Sequence, residues 1–316
     1  MMEPSDKNLA LVYDYKGHDG YMPSSVNLGD YIQTLAALQF YPKVDGFIDR
    51  DSLIDLQDSH GKAIINGWYH LFDGHRLPEN FNPLMVSMNI SGFSDNSDFL
   101  NVLNSWKRFE PIGCRDENTV KILKEKGIAA YFSSCLTTTF KRVDSARKGV
   151  VVSDLLFFKS IFEERGEKVF PINRLIKKKV REFKYSRLLK KIILKTCNYG
   201  KNIKYVTHEA PLSLSHEERF EKARELLDVY SKAELVITSR IHAALPCLGL
   251  GTPVILVVHS KDISRYEGLE DLFNHIYMKE GVVAIKVDNR GRVVNSDSYK
   301  KYAERLTEKC IKYMGG

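Results

Sequence analysis

Residues 236–255 read VITSRIHAALPCLGLGTPVI, and this stretch decides the fold class. Its β-branched start predicts a strand over Leu235–Thr238, and the apolar residues that follow predict a helix that begins near Ile241. Two glycines are typical of a helix end, and Pro253 begins a second β-rich run. A strand, a helix and another strand in direct succession are typical of a parallel sheet covered by helices.

The same alternation of strands and helices runs along the whole chain. Strands are predicted over Leu9–Tyr13, Gly46–Ile48, Ala63–Asn66, Leu84–Met88, Ala129–Phe132, Gly149–Val152, Ile203–Val206, Leu235–Thr238 and Pro253–Val258. Helices are predicted over Asp30–Phe40, Glu117–Lys126, Ser215–Ser231 and Tyr299–Met314. A polar link over 141–148 divides these elements into two similar halves. We therefore expect an α/β fold of two Rossmann-like domains, residues 1–145 and 146–298, that face a cleft, followed by a C-terminal helix over 299–316.

Length and composition exclude several classes of protein. The chain has 316 residues, of which 43% are hydrophobic and 28% charged, a composition typical of globular proteins. Its longest apolar runs, such as Val254–Val258, are far shorter than the ~20 residues of a membrane-spanning helix. The N-terminal stretch lacks the basic and apolar regions of a signal peptide, so we expect a cytoplasmic protein. The cysteines are widely spaced without a CxxC pair, which favours free thiols over disulfides or a zinc site.

The positive charge is concentrated in one segment, Arg174–Lys204, which holds twelve basic residues and one acid, Glu182. Apolar residues spaced by three and four within this segment predict one or two amphipathic helices. Two interpretations stay open: a solvated helix pair that covers a sheet, or a peripheral contact with an anionic membrane that presents a lipid-linked substrate. No nucleic-acid-binding motif accompanies the charge, so we expect no nucleic-acid partner.

The turn before the predicted helix at Ile241 carries the most informative polar residues. Ser239 and Arg240 follow the carboxyl end of a strand, where a helix N-terminus presents free N–H groups to an anion. The guanidinium of Arg240 matches a phosphate, and His242 adds a side chain that titrates near neutral pH. These residues predict a phosphate site that holds a proton donor. The equally open alternative is an Arg240 that pairs with a neighbouring acid and a His242 packed at a domain interface.

A second arginine occupies the same kind of turn in the first half of the chain. Arg115 lies between a strand and a helix, which Asp116 is predicted to cap and Gly127 to end. Arg115 and Arg240 can converge on one dianion if the two halves face each other. The alternative is that Arg115 pairs only with Asp116 or Glu117.

Weaker signals lie near these two turns. Asp30 is predicted to cap the first helix, close to Asn27. Asn66 ends a predicted strand and Trp68 lies in the loop that follows, where its indole can stack on a sugar ring or join the core. His208 comes directly after another strand and would point into the same cleft.

One pair of acids flanks an arginine, in the run Asp49, Arg50 and Asp51. Such a pair can hold a metal ion against a diphosphate. The match is only three residues long, so we favour a solvated loop and expect no metal site.

Three motifs together resemble the polysaccharide pyruvyltransferase family: Asn-Leu-Gly-Asp at 27–30, Arg-Asp at 115–116 with its helix, and Ile-Thr-Ser-Arg-Ile-His-Ala at 237–243. The resemblance covers almost the whole chain and implies a fold similar to that of the GT-B glycosyltransferases. It implies transfer of a pyruvyl group from phosphoenolpyruvate to a sugar of a polysaccharide precursor, with a cyclic ketal formed and phosphate released. Phosphoenolpyruvate is then the donor substrate, and no cofactor is expected.

The resemblance also implies roles for single residues. It places Arg240, Ile241 and His242 at the donor phosphate, with Arg115 assisting and Asp30 near the acceptor. With the polar residues described above, the predicted donor contacts are Arg115, Ser239, Arg240, Ile241 and His242, and the predicted acceptor contacts are Asn27, Asp30, Asn66 and Trp68. The reaction needs an acid, a base and a cationic clamp, and the candidate proton carriers are His242, Asp30 and His208.

Two other functions stay open. A GT-B glycosyltransferase that uses a nucleotide sugar would have the same fold, but residues 239–251 contain no acid to hold the ribose hydroxyls. A non-catalytic sugar- or membrane-binding protein would not need both Arg240 and His242. Release of phosphate from phosphoenolpyruvate, as opposed to release of a nucleotide, separates these functions.

Overall fold

The computed structural model describes residues 7–16, 23–56, 61–91, 97–142, 144, 146–155, 202–258, 263–277 and 282–315. The basic segment Arg174–Lys204 lies outside these residues except for its last three positions. Both interpretations of that segment therefore stay predictions.

The first half of the chain builds a six-stranded parallel sheet. Its elements are β1 (Lys7–Val12), β2 (Val26–Asn27), α1 (Leu28–Leu38), β3 (Gly46–Asp49), β4 (Gly61–Tyr69), β5 (Phe81–Ile90), α2 (Ser97–Lys107), β6 (Ile112–Cys114), α3 (Glu117–Glu125) and β7 (Ala130–Phe132). The strands pair in the order β3–β1–β4–β5–β6–β7, and every pair is parallel. The short strand β2 stands apart from this sheet and leads directly into α1.

The second half builds another six-stranded sheet. Its elements are β8 (Val150–Ser153), β9 (Ile203–Val206), β10 (Glu209–Ala210), α4 (His216–Ser231), β11 (Leu235–Thr238), α5 (Ile241–Gly249), β12 (Val254–Val258), β13 (Asn274–Tyr277), β14 (Val282–Ala284) and α6 (Lys300–Gly315). The order is β14–β13–β12–β11–β8–β9, with β14 antiparallel at one edge and the other strands parallel. The predicted α/β class with parallel sheets is confirmed.

The stretch that predicted the fold class lies at the centre of the second sheet. β11 pairs in parallel with β12, so that Val236 lies opposite Val254. Helix α5 joins them, with Arg240 as its N-cap and Gly251, at a φ of +68°, just after its C-terminus. All residues of α5 are buried, because the helix packs against α1 and α4 as well as against its own sheet.

Helix α1 differs from its predicted boundaries. Its N-cap is Asn27, whose Oδ1 accepts the backbone N–H of Gly29 at 3.1 Å. The prediction that Asp30 caps this helix is wrong. The pairing of β2 with β10 turns the chain into the helix already at Leu28, and Asp30 therefore lies buried within the first turn.

The two sheets are joined close to their polar turns. β2 pairs antiparallel with β10, which places Asn27 opposite Glu209. The N–H of Leu28 donates to the carbonyl of His208 at 2.8 Å. Helix α1 packs along α4, and one hydrophobic cluster contains buried residues from both sheets. Side chains at these turns are therefore held in fixed positions relative to each other.

The C-terminal helix α6 returns to the first sheet. Its buried residues Leu306, Cys310 and Met314 pack in one cluster with Ile64 and Val86. The last helix therefore covers a sheet built some two hundred residues earlier in the chain.

None of the helices in the described ranges is long and apolar enough to cross a membrane.

Four cysteines are buried free thiols: Cys114, Cys135, Cys247 and Cys310. Burial raises the pKa of Cys310 to about 12, which keeps its thiol protonated and unreactive at neutral pH.

Candidate active site

Polar side chains follow the carboxyl ends of strands in both sheets. Arg115 comes directly after β6, Asp154 after β8 and Arg240 shortly after β11, while His208 lies between β9 and β10. Because the carboxyl ends of parallel strands meet at one edge of a sheet, this edge is where ligands of open α/β folds bind. The β2–β10 pairing brings the first turn of α1 to the same place.

Arg115 is completely buried and incompletely paired. Its Nη1 donates to Nε2 of His242 at 3.3 Å, and its Nε lies 3.8 Å from Oδ2 of Asp116. The carboxylate of Asp116 is already engaged, because it accepts hydrogen bonds from Asn89 and Thr119 at 2.8–2.9 Å. Nε and Nη2 of Arg115 therefore have no hydrogen-bond partner among the described residues.

The electrostatics of Arg115 follow from this pairing. Burial lowers the pKa of its guanidinium, and the charge of Asp116 opposes that shift only in part. A cation removed from water and left with two unused donors is unstable unless an anion completes it. Sequence analysis left open whether Arg115 pairs only with Asp116. The long Asp116 contact and the bond to His242 show that it does more.

His242 joins the two halves of the molecule. It lies in the first turn of α5, contacts Arg115, and its Nδ1 lies 3.0 Å from the position that a Cβ on Gly29 would occupy. Because an arginine only donates hydrogen bonds, Nε2 accepts and the hydrogen of the neutral ring lies on Nδ1. Burial and the charge of Arg115 lower the pKa of His242 well below its ordinary value. The expectation that His242 titrates near neutral pH is therefore wrong for this structure.

Arg240 pairs with two acids, which was the alternative left open for it. Its Nε donates to Oδ2 of Asp154 at 3.2 Å, and its Nη2 donates to Oε1 of Glu209 at 3.2 Å. The side chain keeps 29% of its surface exposed, and Nη1 makes no ion pair among the described residues. Within the described part of the chain, no side chain caps helix α5, of which Arg240 is the N-cap. Its first N–H groups thus stay available next to the arginine.

Ile241 and Ser239 flank Arg240 and are both buried. The hydroxyl of Ser239 has no hydrogen-bond partner among the described residues. The carbonyl of Ser239 accepts from the hydroxyl of Tyr266 at 3.5 Å. The turn therefore holds an unused hydroxyl beside the uncapped helix N-terminus.

His208 is buried and belongs to a network of hydrogen bonds. Oδ2 of Asp154 accepts from the backbone N–H of His208 at 2.8 Å and from its Nδ1 at 3.2 Å. The hydroxyl of Tyr230 lies 3.4 Å from the other ring nitrogen and 2.9 Å from Oγ of Ser153. Burial by itself would raise the pKa of Asp154, but the hydrogen bonds from His208 and the charge of Arg240 hold it well below its ordinary value. Asp154 was missed from the sequence, although it follows a strand just as the two arginines do.

Asp30 lies in the first turn of α1, directly after Gly29, which faces His242. Its Oδ2 accepts the hydroxyl of Tyr15 at 2.7 Å, and its Oδ1 accepts Nε2 of Gln33 at 3.4 Å. Burial raises the pKa of Asp30 above its ordinary value, although the charge of Arg50 and the hydrogen bond from Tyr15 oppose the shift. Tyr15 holds a positive φ of 58°, an uncommon conformation that is often found at functional sites.

The prediction of a solvated loop at residues 49–51 is wrong, because Arg50 is buried. Its Nε and Nη2 donate to the two carboxylate oxygens of Asp51 at 2.7 and 3.0 Å, and Asp51 also accepts from His75 at 3.0 Å. The guanidinium is buried and stacks 4.9 Å from the ring centre of Tyr13 and 5.9 Å from that of Trp68. Asp51 pairs with the buried Arg50, whereas Asp49 accepts from the backbone N–H of Asp14 and of Asp51. No cluster of metal-ligand side chains occurs in the described part of the chain.

The remaining predicted acceptor residues line the same region. Trp68 lies within β4, not in a loop as predicted, and its indole N–H donates to Oγ of Ser91 at 2.8 Å. Asn66 is fully buried, and its amide donates to the carbonyl of Gln33 at 3.1 Å. The backbone of Asn27 pairs with that of Glu209, and its side chain caps α1. Among the predicted donor residues, His242 contacts Arg115, whereas Asn66 and Trp68 contact Gln33, Ser91 and Arg50.

Comparison with known proteins agrees with the sequence motifs. The family model for polysaccharide pyruvyl transferase matches residues 27–261, which include the three motif turns and both sheets' central strands. No curated protein matches the chain.

Proposed function

The chain belongs to the polysaccharide pyruvyl transferase family, and from this premise we propose that it transfers the pyruvyl group of phosphoenolpyruvate to two hydroxyls of a sugar. The products are a cyclic pyruvate ketal and inorganic phosphate. The observation that carries the proposal is the buried guanidinium of Arg115, whose two unused donors lie beside His242 and the uncapped N-terminus of α5.

The reaction balances without a cofactor. The methylene carbon of phosphoenolpyruvate gains a proton, and the central carbon becomes an oxocarbenium ion. Two hydroxyl oxygens of the sugar bond to that carbon, and the bond to the phosphate oxygen breaks. Of the two hydroxyl protons released, one replaces the proton given to the methylene carbon and the other leaves with phosphate.

The donor phosphate is held by cations and N–H groups in this proposal. Arg115 supplies two unused donors, Arg240 supplies its Nη1, and the first N–H groups of α5 with the Ser239 hydroxyl complete the cradle. Charge-assisted hydrogen bonds of this kind stabilise the leaving phosphate without a metal ion. Asp154 orients Arg240 and His208, because its carboxylate accepts a hydrogen bond from each of them.

The proton carriers divide into an acid and a base. His242 is neutral in this structure, and its Nε2 accepts from Nη1 of Arg115. In this proposal a bound phosphate takes over Nη1 and favours a proton on the freed Nε2, and the imidazolium then protonates the methylene carbon. Asp30 accepts the proton of a sugar hydroxyl. His208 becomes a positioning residue, because both of its ring nitrogens already have protein partners.

The wider setting of the reaction is part of the proposal. The two parallel sheets, with polar turns at their carboxyl ends, support two Rossmann-like domains of the GT-B type divided near residue 145. A cytoplasmic enzyme that builds capsule or exopolysaccharide precursors would meet a lipid-linked sugar at the membrane. The basic segment Arg174–Lys204 is the proposed peripheral contact there.

The test is a coupled assay for phosphate release and product mass. The protein is incubated with phosphoenolpyruvate and a panel of nucleotide-linked and lipid-linked sugars, and each product is examined for the gain of one pyruvyl group. We expect phosphate release that depends on one acceptor class. Release of nucleotide from a nucleotide sugar, with no change in phosphoenolpyruvate, would show a glycosyltransferase and overturn the proposal.

A further inference from the structure

One described segment connects the two arginine-bearing turns. Residues 263–268 follow β12, and the hydroxyl of Tyr266 donates to the carbonyl of Ser239, directly before Arg240. The carbonyl of Glu267 accepts the N–H of Glu117 at 2.9 Å, two residues after Arg115. Arg265 precedes both contact residues, so the chain at Arg265 is fixed between the turn of Arg240 and the turn of Arg115.

Arg265 differs from the other two arginines in its exposure. It is exposed to solvent and has no ion pair among the described residues. After burial, which is the largest cause, the positive charge of Arg265 is among those that lower the pKa of Arg115 and of His242. Its guanidinium therefore acts on the same small region as the buried pair.

The balance of charge shows why a third cation is needed. Arg115 and Arg240 face three carboxylates, those of Asp116, Asp154 and Glu209, which leaves this group one negative charge in excess. Phosphoenolpyruvate carries about three negative charges near neutral pH, from a phosphate close to its dianion and a carboxylate. Two arginines that are already shared with acids do not balance such a ligand.

We propose that Arg265 binds the carboxylate of phosphoenolpyruvate at the rim of the site while the phosphate lies on Arg115 and the N-terminus of α5. This inference rests on the proposed function. The buried donors and the helix N-terminus suit the phosphate, which has more acceptor oxygens and the larger charge. The planar fork of an exposed arginine suits the remaining carboxylate.

The experiment is calorimetric titration of the full chain with phosphoenolpyruvate and, separately, with inorganic phosphate. The variants are Arg265→Gln, Arg265→Lys and, as a matched control on an exposed turn, Arg290→Gln. We expect Arg265→Gln to weaken phosphoenolpyruvate binding roughly tenfold or more, as for the loss of a charge-assisted contact. Affinity for inorganic phosphate should stay within about twofold, because that ligand has no carboxylate for Arg265 to bind. Arg265→Lys should fall between wild type and Arg265→Gln, and Arg290→Gln should bind both ligands as wild type does.

The outcomes separate this inference from the proposed function. If the wild-type chain binds phosphoenolpyruvate and Arg265→Gln binds it equally well, the inference is wrong and the proposed function stands. Equal weakening of both ligands by Arg265→Gln also overturns the inference, because it shows a general charge effect instead of a carboxylate contact. A wild-type chain that binds inorganic phosphate but not phosphoenolpyruvate overturns both.

Discussion

Two arginines, Arg50 and Arg115, are buried in the same half of the molecule and differ in how their charge is balanced. Arg50 donates to both oxygens of Asp51 and stacks on Tyr13, whereas Arg115 contacts Asp116 only at 3.8 Å. Burial by itself lowers both pKa values. The carboxylate of Asp51 nevertheless holds the pKa of Arg50 well above its ordinary value, while that of Arg115 stays lowered.

A histidine lies next to each of these arginines, and the two histidines differ in whether they contact an acid. His75 donates to Asp51, the acid that neutralises Arg50. His242 contacts Arg115 itself and no acid among the described residues. A buried cation that donates two hydrogen bonds to its counter-ion belongs to the structure, whereas one whose acid lies 3.8 Å away can still bind an anionic ligand. The difference favours Arg115 over Arg50 as the arginine that binds the donor in the proposed function.

The largest effect is expected from Arg115→Met. Losing the buried donors should lower kcat/KM for phosphoenolpyruvate by about 1000-fold or more, as for the removal of an oxyanion contact. The free energy of unfolding should fall less than in a variant that breaks the Arg50–Asp51 pair, because the carboxylate of Asp116 keeps its hydrogen bonds from Asn89 and Thr119. Phosphate release and thermal unfolding measure the two effects. A variant that unfolds as readily as one of the Arg50–Asp51 pair would contradict the comparison.

The next effect concerns the balanced arginine. Asp51→Asn leaves Arg50 buried without its counter-ion and should lower the free energy of unfolding by roughly 3–5 kcal/mol. Donor affinity, measured on the folded fraction, should stay unchanged. The control is Asp73→Asn, which removes a half-exposed pair with Arg76 and should change stability by less than about 1 kcal/mol. Equal stability of Asp51→Asn and the control would show that Arg50 does not depend on Asp51.

His242→Gln sharpens the comparison through its pH dependence. The pKa of His242 is lowered in this structure and rises when a phosphate binds, so binding takes up a proton and donor affinity should increase as pH falls. The variant should lose this dependence while keeping the titration of the ligand itself. Its kcat should fall about 100-fold, as for the loss of a general acid. Calorimetry at several pH values measures the proton uptake, and wild-type kcat in the variant would remove His242 from the mechanism.

The sequence predicted the local elements of this site better than its pairings. The cap Asp116 and the end of α3 at Gly127 were readable because they depend on neighbouring residues. Helix α2 was missed, although Phe99, Val102 and Trp106 follow a helical spacing. Helical spacing is a local property, so this element was within reach.

The pairings could not be read in the same way. The burial of Arg50 depends on Asp51, which His75 also contacts, and on the ring of Tyr13, and these contacts between distant positions exist only after folding. Asp154 holds Arg240 across 86 positions of the chain. A family resemblance identifies residues that share a motif, but it does not show which acid neutralises which arginine.

The smallest effect is expected from Tyr15→Phe, which tests the acceptor side of the site. The hydroxyl of Tyr15 donates to Asp30 at 2.7 Å and opposes the rise in the pKa of that carboxyl. Asp30 must be ionised to act as a base, so activity falls as pH drops through its pKa. Without the hydroxyl this pKa rises further, and the acidic limb of the kcat/KM profile should move to higher pH, with about tenfold lower activity below neutrality.

The matched control for this variant is Tyr41→Phe. Tyr41 is another phenol with two hydrogen bonds, to Leu9 and Ile64, and none of its contacts in the described ranges is to a residue of the site. It should lose some stability and keep the wild-type profile. A shift of the acidic limb in Tyr15→Phe alone therefore assigns the titration to Asp30. Identical profiles in both variants would show that Asp30 is not the base, and the acceptor would then have to be activated by a group other than the one that Tyr15 positions.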